Sequence, residues 1–198
     1  MAIIFSENFN SNTGSPLFTT NGIFNAGGFA SVPASGQLNS NFWRVTGFTD
    51  NAGLLDYGGT GASASDYGRG AYVAQTTAGI YSINTGIAAL GASSFIVKPT
   101  GAEFGTTPGT ITLRVQYTGA TALTGINVDF DAVFRNSQGR ESVSNFAWAT
   151  QTAATQPTAF SANVTALSFA TPSTADALGW QRTDLAAQTF NAVINTGD

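Results

Sequence analysis

At 198 residues, with 9% charged side chains and a formal net charge of −4, the chain is long enough for one substantial domain and too sparsely charged for nucleic acid. A phosphate-backbone binder needs clustered Lys and Arg to displace counterions, whereas the seven basic residues here are scattered and Lys98 is the lone lysine. The sequence holds no cysteine and no histidine, which excludes disulfides, thiolate metal sites, His-ligated zinc and the Ser-His and Cys-His nucleophile pairs.

The first predicted element is a strand over residues 3–9, IIFSENF. The start carries no basic n-region and no small-residue cleavage site, so it does not read as a signal peptide. The expectation is an exported chain that either begins after processing or leaves by a route addressed from elsewhere in a longer chain. Residues 11–41 read as a long polar loop held down by Phe18, Phe24 and Phe29, because an unanchored loop of that length is unusual in a compact domain. The next strand is expected over residues 42–48. Residues 50–70, DNAGLLDYGGTGASASDYGRG, are turn-rich and form the expected functional loop. Short strands follow over residues 72–83 and 94–98, separated by small residues.

Residues 109–150 carry the clearest signal. Apolar side chains alternate with polar ones three times over (Ile111, Leu113, Val115, Tyr117; Ile126, Val128, Phe130, Phe134; Phe146, Trp148), the period of half-buried strands. Residues 136–139 read as a hairpin loop. A register with Arg135 opposite Glu141 would bring Phe130 to Phe146, Val128 to Trp148 and Asp131 to Asn145. The turn at residues 119–122 would bring Arg114 near Asp129. Further on, a loop with Pro157 leads to a possible strand within residues 160–169. Residues 170–184 read as a loop holding one helical turn and anchored by Trp180. A last strand over residues 190–194 precedes the turn signal NTGD. No stretch approaches the ~18 apolar residues of a membrane span. The elements predict an all-β, antiparallel β-sandwich with long loops and at most one or two short helical turns, as a single domain over residues 1–198.

Three chemistries compete for the polar residues. Asp50, Asn51, Asp56 and Asp66 gather oxygen ligands among glycines, the donor set that calcium prefers, and Glu7 is a further candidate. The alternative is that these aspartates form turns by bonding their own backbone. A glycan would stack on Tyr57 and Tyr67, with Arg69 beside them; Trp43 and Trp180 read rather as core plugs. A glycoside hydrolase needs two carboxyls about 5 to 5.5 Å apart for retaining chemistry, and Asp129 with Asp131 is the sheet-borne candidate pair. The competing reading, that the two aspartates face solvent on a sheet and pair with arginines, is preferred. No catalytic residue is therefore assigned.

Four segments carry a family likeness: FWRVTGFTDN at residues 42–51, DYGRG at 66–70, ITLRVQYTGAT from Ile111 and INVDFDAVFRNSQGRESVSNFAWAT from Ile126. Together they resemble a β-sandwich module of large secreted bacterial proteins that also carry nuclease, lamin-tail or calcium-binding repeat regions. The resemblance implies a jelly-roll-like, extracellular or cell-surface domain without an assigned catalytic centre. Modules of this type continue past the TGD-like turn into a further strand, so the resemblance implies either a truncated reading frame or a sandwich with an open edge lacking a closing C-terminal strand. The resulting expectation is a non-catalytic extracellular module with a structural, adhesive or matrix role. The alternatives are a carbohydrate-binding module, with Ca2+ as the one candidate cofactor, and a self-assembling subunit that adds strands at the open edge. Candidate partners are a glycan or other copies of the chain.

Overall fold

The computed structural model describes residues 9, 28–48, 55–61, 70–72, 76–83, 94–100, 103–104, 108–152 and 156–198. These residues form an all-β protein whose one helical element is a single 3-10 turn. They fall into two compact units, Met1–Val115 and Gln116–Asp198.

In the first unit, β1 (Phe29–Ala30) pairs in parallel with β2 (Leu38–Asn39), and β3 (Trp43–Val45) pairs antiparallel with β6 (Ile111–Leu113). β4 (Gly79–Ile83) pairs antiparallel with β5 (Ser94–Lys98). All five residues of β4 are buried, so its sequence, GIYSI, does not alternate between apolar and polar as a half-exposed strand would. Its second edge is also taken, by Tyr72 and Gly70, whose backbone bonds bracket Ser82. The core gathers Phe29, Leu38, Trp43, Val45, Phe48, Leu55 and Ile80. Trp43 meets Phe95 edge-on at 5.6 Å and Phe9 at 5.8 Å, an arrangement that favours the ring quadrupoles. Trp43 is thus the core plug that its place in the sequence predicts.

A close backbone approach closes one end of this core. Gly47, at φ +103°, lies against Gly109, and the Phe104 ring covers both before meeting Phe48 edge-on at 5.1 Å. Glycine is required at each position: a Cβ on Gly109 would stand 1.8 Å from the Phe104 ring.

The second unit is built on two long strands, β7 (Ile126–Arg135) and β10 (Trp180–Phe190), paired antiparallel. A second, shorter ladder joins β8 (Val143–Ser144) to β9 (Phe169–Ala170). It continues irregularly through Val164 N–H to the Phe146 carbonyl and Ser161 N–H to the Trp148 carbonyl. Hydroxyls fill its gaps: Ser168 Oγ accepts from Phe146 N, Ser161 Oγ from Trp148 N and Thr171 Oγ1 from Ser142 N. Backbone amides that lose a ladder partner must find another acceptor, which gives the Ser and Thr content a structural use. The 3-10 turn at Thr165–Leu167 interrupts the strand and buries Leu167.

The apolar faces of the two ladders form one core of Ala132, Leu167, Leu185 and Phe190, flanked by Phe130, Phe146, Trp148 and Phe169. Phe146 and Phe190 stack at 5.9 Å, and Phe130 reaches Phe146 at 5.8 Å.

Three expectations are corrected here. The strand beside β7 is β10 and not residues 141–150, so Val128 lies opposite Gln188 and Asp131 opposite Asp184. Phe130 does meet Phe146, but across the core between ladders. Alternation fixes which side chains share a face; it does not distinguish a neighbour in the sheet from one packed on top of it. The last strand begins at Trp180 and ends at Phe190, where a loop and then a strand over residues 190–194 were expected.

A β-bulge between Leu185 and Gln188 hid that strand from the sequence. Leu185 and Phe190 are an odd number of residues apart and would face opposite sides of a regular strand. One extra residue brings both into the same core. Gln188 Nε2 donates to the carbonyls of Ala186 and Ala187, closing the bulge.

Beyond Phe190 the chain returns along residues 117–123. Leu123 and Ile194 exchange backbone bonds, as do Tyr117 and the final turn through Gly197 N–H and the Asp198 carbonyl. Asp198 Oδ2 accepts from Asn195 N at 2.7 Å, so NTGD is the turn its composition predicts.

Candidate functional site

Two of the predicted site residues, Asp56 and Tyr57, lie in a tight turn over the polar face of the β3–β6 ladder. Asp50, Asn51, Asp66, Tyr67, Arg69 and Glu7 lie outside the described residues. The ladder sets up the site by alternation. Trp43 and Val45 point into the core, leaving Arg44 and, beyond the end of β6, Arg114 to face the other way. Arg114 N–H bonds the Phe42 carbonyl and extends the ladder by one pair, so the two arginines sit on diagonal positions of one face.

The turn is held on this face at three levels. Leu55 is buried in the core, and its carbonyl accepts from Val45 N at 3.1 Å. Gly58 adopts φ +76°, which closes the turn, and donates its N–H to the Ser40 carbonyl. Arg44 Nε donates to Asp56 Oδ1 at 2.6 Å, and the same oxygen accepts the Tyr57 amide at 2.8 Å. Arg114 completes the cluster, with its Nε on the Asn41 carbonyl at 2.5 Å and its guanidinium carbon 3.9 Å from the Tyr57 ring centroid. That is a cation–π contact.

Burial alone would raise the Asp56 pKa, but the Arg44 bond, the Tyr57 amide and the charges of Arg44 and Arg114 outweigh it. The carboxyl is held below its ordinary value of 3.8. Burial pushes the Tyr57 phenol above its ordinary value of 10.0, more strongly than the two arginines pull it down. The Tyr57 hydroxyl finds no hydrogen-bond partner among the described residues.

Chemically this is a cross-braced turn. Asp56 Oδ1 is saturated by two donors, and two guanidinium charges oppose a cation at that spot. Among the described residues no group of three or more Asp or Glu is placed to hold a metal ion. Tyr57 is half-buried, with one ring face covered by Arg114.

The acidic pair of β7 is placed as its polar-face reading requires. Asp129 and Asp131 are exposed, and Asp131 Oδ2 pairs with Arg182 Nη2 at 2.6 Å. Its arginine comes from β10, whereas the sequence suggested Arg114 for Asp129. Trp180 lies on β10, half-buried. No protein-family model, curated protein or solved structure matches the chain.

Arg44 and Arg114 are the site residues that sequence reasoning missed. Each sits at a polar position of a predicted strand, but only the β3–β6 pairing shows that they share a face with the Asp56 turn.

Proposed function

We propose that the chain is a non-catalytic, jelly-roll-like module of the extracellular space or bacterial cell surface, with a structural, adhesive or matrix role. The observation that carries this reading is the state of the carboxylates: Asp56 and Asp131 are each engaged by an arginine at 2.6 Å. A carboxylate already bonded to an arginine is poorly placed to serve as the acid or base of glycosyl transfer. Low charge and many small polar residues suit a durable surface module.

The alternative is a carbohydrate-binding module assisted by calcium. It draws on the partly exposed Tyr57, with Arg44, Asp56 and Arg114 beside it as groups that bond sugar hydroxyls. Glycan arrays probed in calcium and in chelator separate the two. A signal that disappears in Tyr57→Ala but survives in Asp131→Asn selects the carbohydrate reading. Blank arrays under both conditions select the structural one.

A further inference from the structure

β7 is a ten-residue strand bonded, among the described residues, on one edge only. Among the described residues its hydrogen bonds and ion pairs all run to β10, so its other row of N–H and C=O groups has no partner among them. Natural edges are blunted by bulges, Pro, Lys or an inward charge. β7, INVDFDAVFR, contains no Pro and no Lys, and the bulge of this pair lies on β10. Its charges project from the exposed face and leave the edge itself uninterrupted.

The charges also select a register. In an antiparallel pairing of β7 with a second β7, the apolar faces stay together only if even-numbered residues oppose even-numbered ones. A two-fold at Phe130 sets Asp129 against Asp131, and one at Asp131 sets that residue against itself; both oppose like charges. A two-fold at Val133 would match Asp131 with Arg135, but Asp131 is already held by Arg182. A two-fold at Ala132 sets Asp129 opposite Arg135 twice over and Phe130 opposite Phe134. Asp129 and Arg135 are both exposed, and neither makes an ion pair among the described residues.

We propose that two copies of this chain pair through the free edges of β7, antiparallel about Ala132, with Asp129 of each opposite Arg135 of the other. The occupant of the edge is thus a second copy of the chain, bound by backbone hydrogen bonds and oriented by two ion pairs. One pair of strands is small beside a standard interface, so the association is weak and concentration-dependent. The proposal makes specific the self-assembling alternative named for this chain and is independent of any glycan chemistry.

Sedimentation equilibrium of the full chain tests it, together with Asp129→Arg, Arg135→Asp and the double exchange. The expected result is a reversible dimer that each single reversal weakens about tenfold and the double exchange restores, since each reversal turns two attractions into two repulsions. Amide exchange of the unaltered chain at low and high concentration gives a second readout that needs no variant: β7 amides gain protection on association and β10 amides do not. A monomer at every concentration overturns the proposal, as does a dimer indifferent to both single reversals or one that protects β10 in place of β7. None of these failures bears on catalysis, which is read separately as turnover.

Discussion

The guanidinium of Arg114 lies 3.9 Å from the centre of the Tyr57 ring and bonds the Asn41 carbonyl through Nε, so one side chain clamps both the Asp56–Tyr57 turn and the turn that leads into β3. Arg114→Ala is expected to destabilise the chain by roughly 1 to 2 kcal/mol, from the lost cation–π contact and the lost hydrogen bond together. Arg114→Lys recovers less than half, because an ammonium lacks the planar fork that stacks and donates at once. Tyr57→Phe keeps the ring and removes a buried hydroxyl without a described partner, so its effect is within about 0.5 kcal/mol of zero or slightly stabilising. Urea unfolding of the three variants measures the order; a large loss in Tyr57→Phe would give the hydroxyl a role that this geometry does not.

The same cluster sets a pH dependence at both ends. Asp56 has a folded pKa below its unfolded 3.8, so its contribution is complete above that value and is lost as pH falls through the lower folded one. The pair is half-exposed, which limits the contribution to about 0.2 to 1 kcal/mol. Tyr57 has a folded pKa above 10.0, so its contribution is complete below pH 10.0 and is lost as pH rises toward the folded value. Stability measured against pH is expected to flatten on the acid limb in Asp56→Asn and on the alkaline limb in Tyr57→Phe. Unchanged limbs in both variants would contradict the assignment.

Gly109 is expected to be intolerant of any side chain. A Cβ there meets the Phe104 ring at 1.8 Å and the Thr46 carbonyl oxygen at 2.5 Å, so the ring must leave the core end it covers. Gly109→Ala should cost roughly 1 to 3 kcal/mol as an overpacking change. Gly179→Ala, which meets no neighbour but has φ +77°, isolates the backbone cost of about 1 kcal/mol. Thermal unfolding of both variants gives the comparison; equal losses would mean that the Phe104 contact is not constraining.

The bulge in β10 makes a sharper prediction. Deleting Ala187 leaves Leu185 and Phe190 four residues apart, so a regular strand keeps both in the core without a bulge, whereas deleting Ala186 and Ala187 together leaves them three apart and turns Phe190, buried at 8% exposure, toward solvent unless the strand slips. The expected loss is on the order of 3 kcal/mol or more for the double deletion and less than about 1 kcal/mol for the single one. Ala187→Ser at the same exposed position should be nearly neutral. A double deletion as stable as the parent would mean that Leu185 and Phe190 do not need to share a face.

Legibility in the sequence followed the regularity of the backbone. β7 was readable almost to the residue, because alternation marks a half-buried strand, and β5 was readable as a short apolar run between Ser94 and Lys98. β4 was only partly readable, since a strand covered on every side loses its alternation. β10 was missed because its bulge shifts the period between Leu185 and Phe190. At the site, Asp56 and Tyr57 stood out as polar residues among glycines. Arg44 and Arg114 did not, since their shared face depends on a strand pairing between distant parts of the chain, which no local pattern encodes.

The most direct test of the non-catalytic reading is turnover. The purified chain is incubated with a panel of acidic and neutral polysaccharides, and products are read as new reducing ends and as unsaturated sugars. With Asp131 tied to Arg182 and Asp56 to Arg44, the expected result is no product above the level given by Asp129→Asn and Asp131→Asn. Product formed by the unaltered chain and lost in either variant would contradict it.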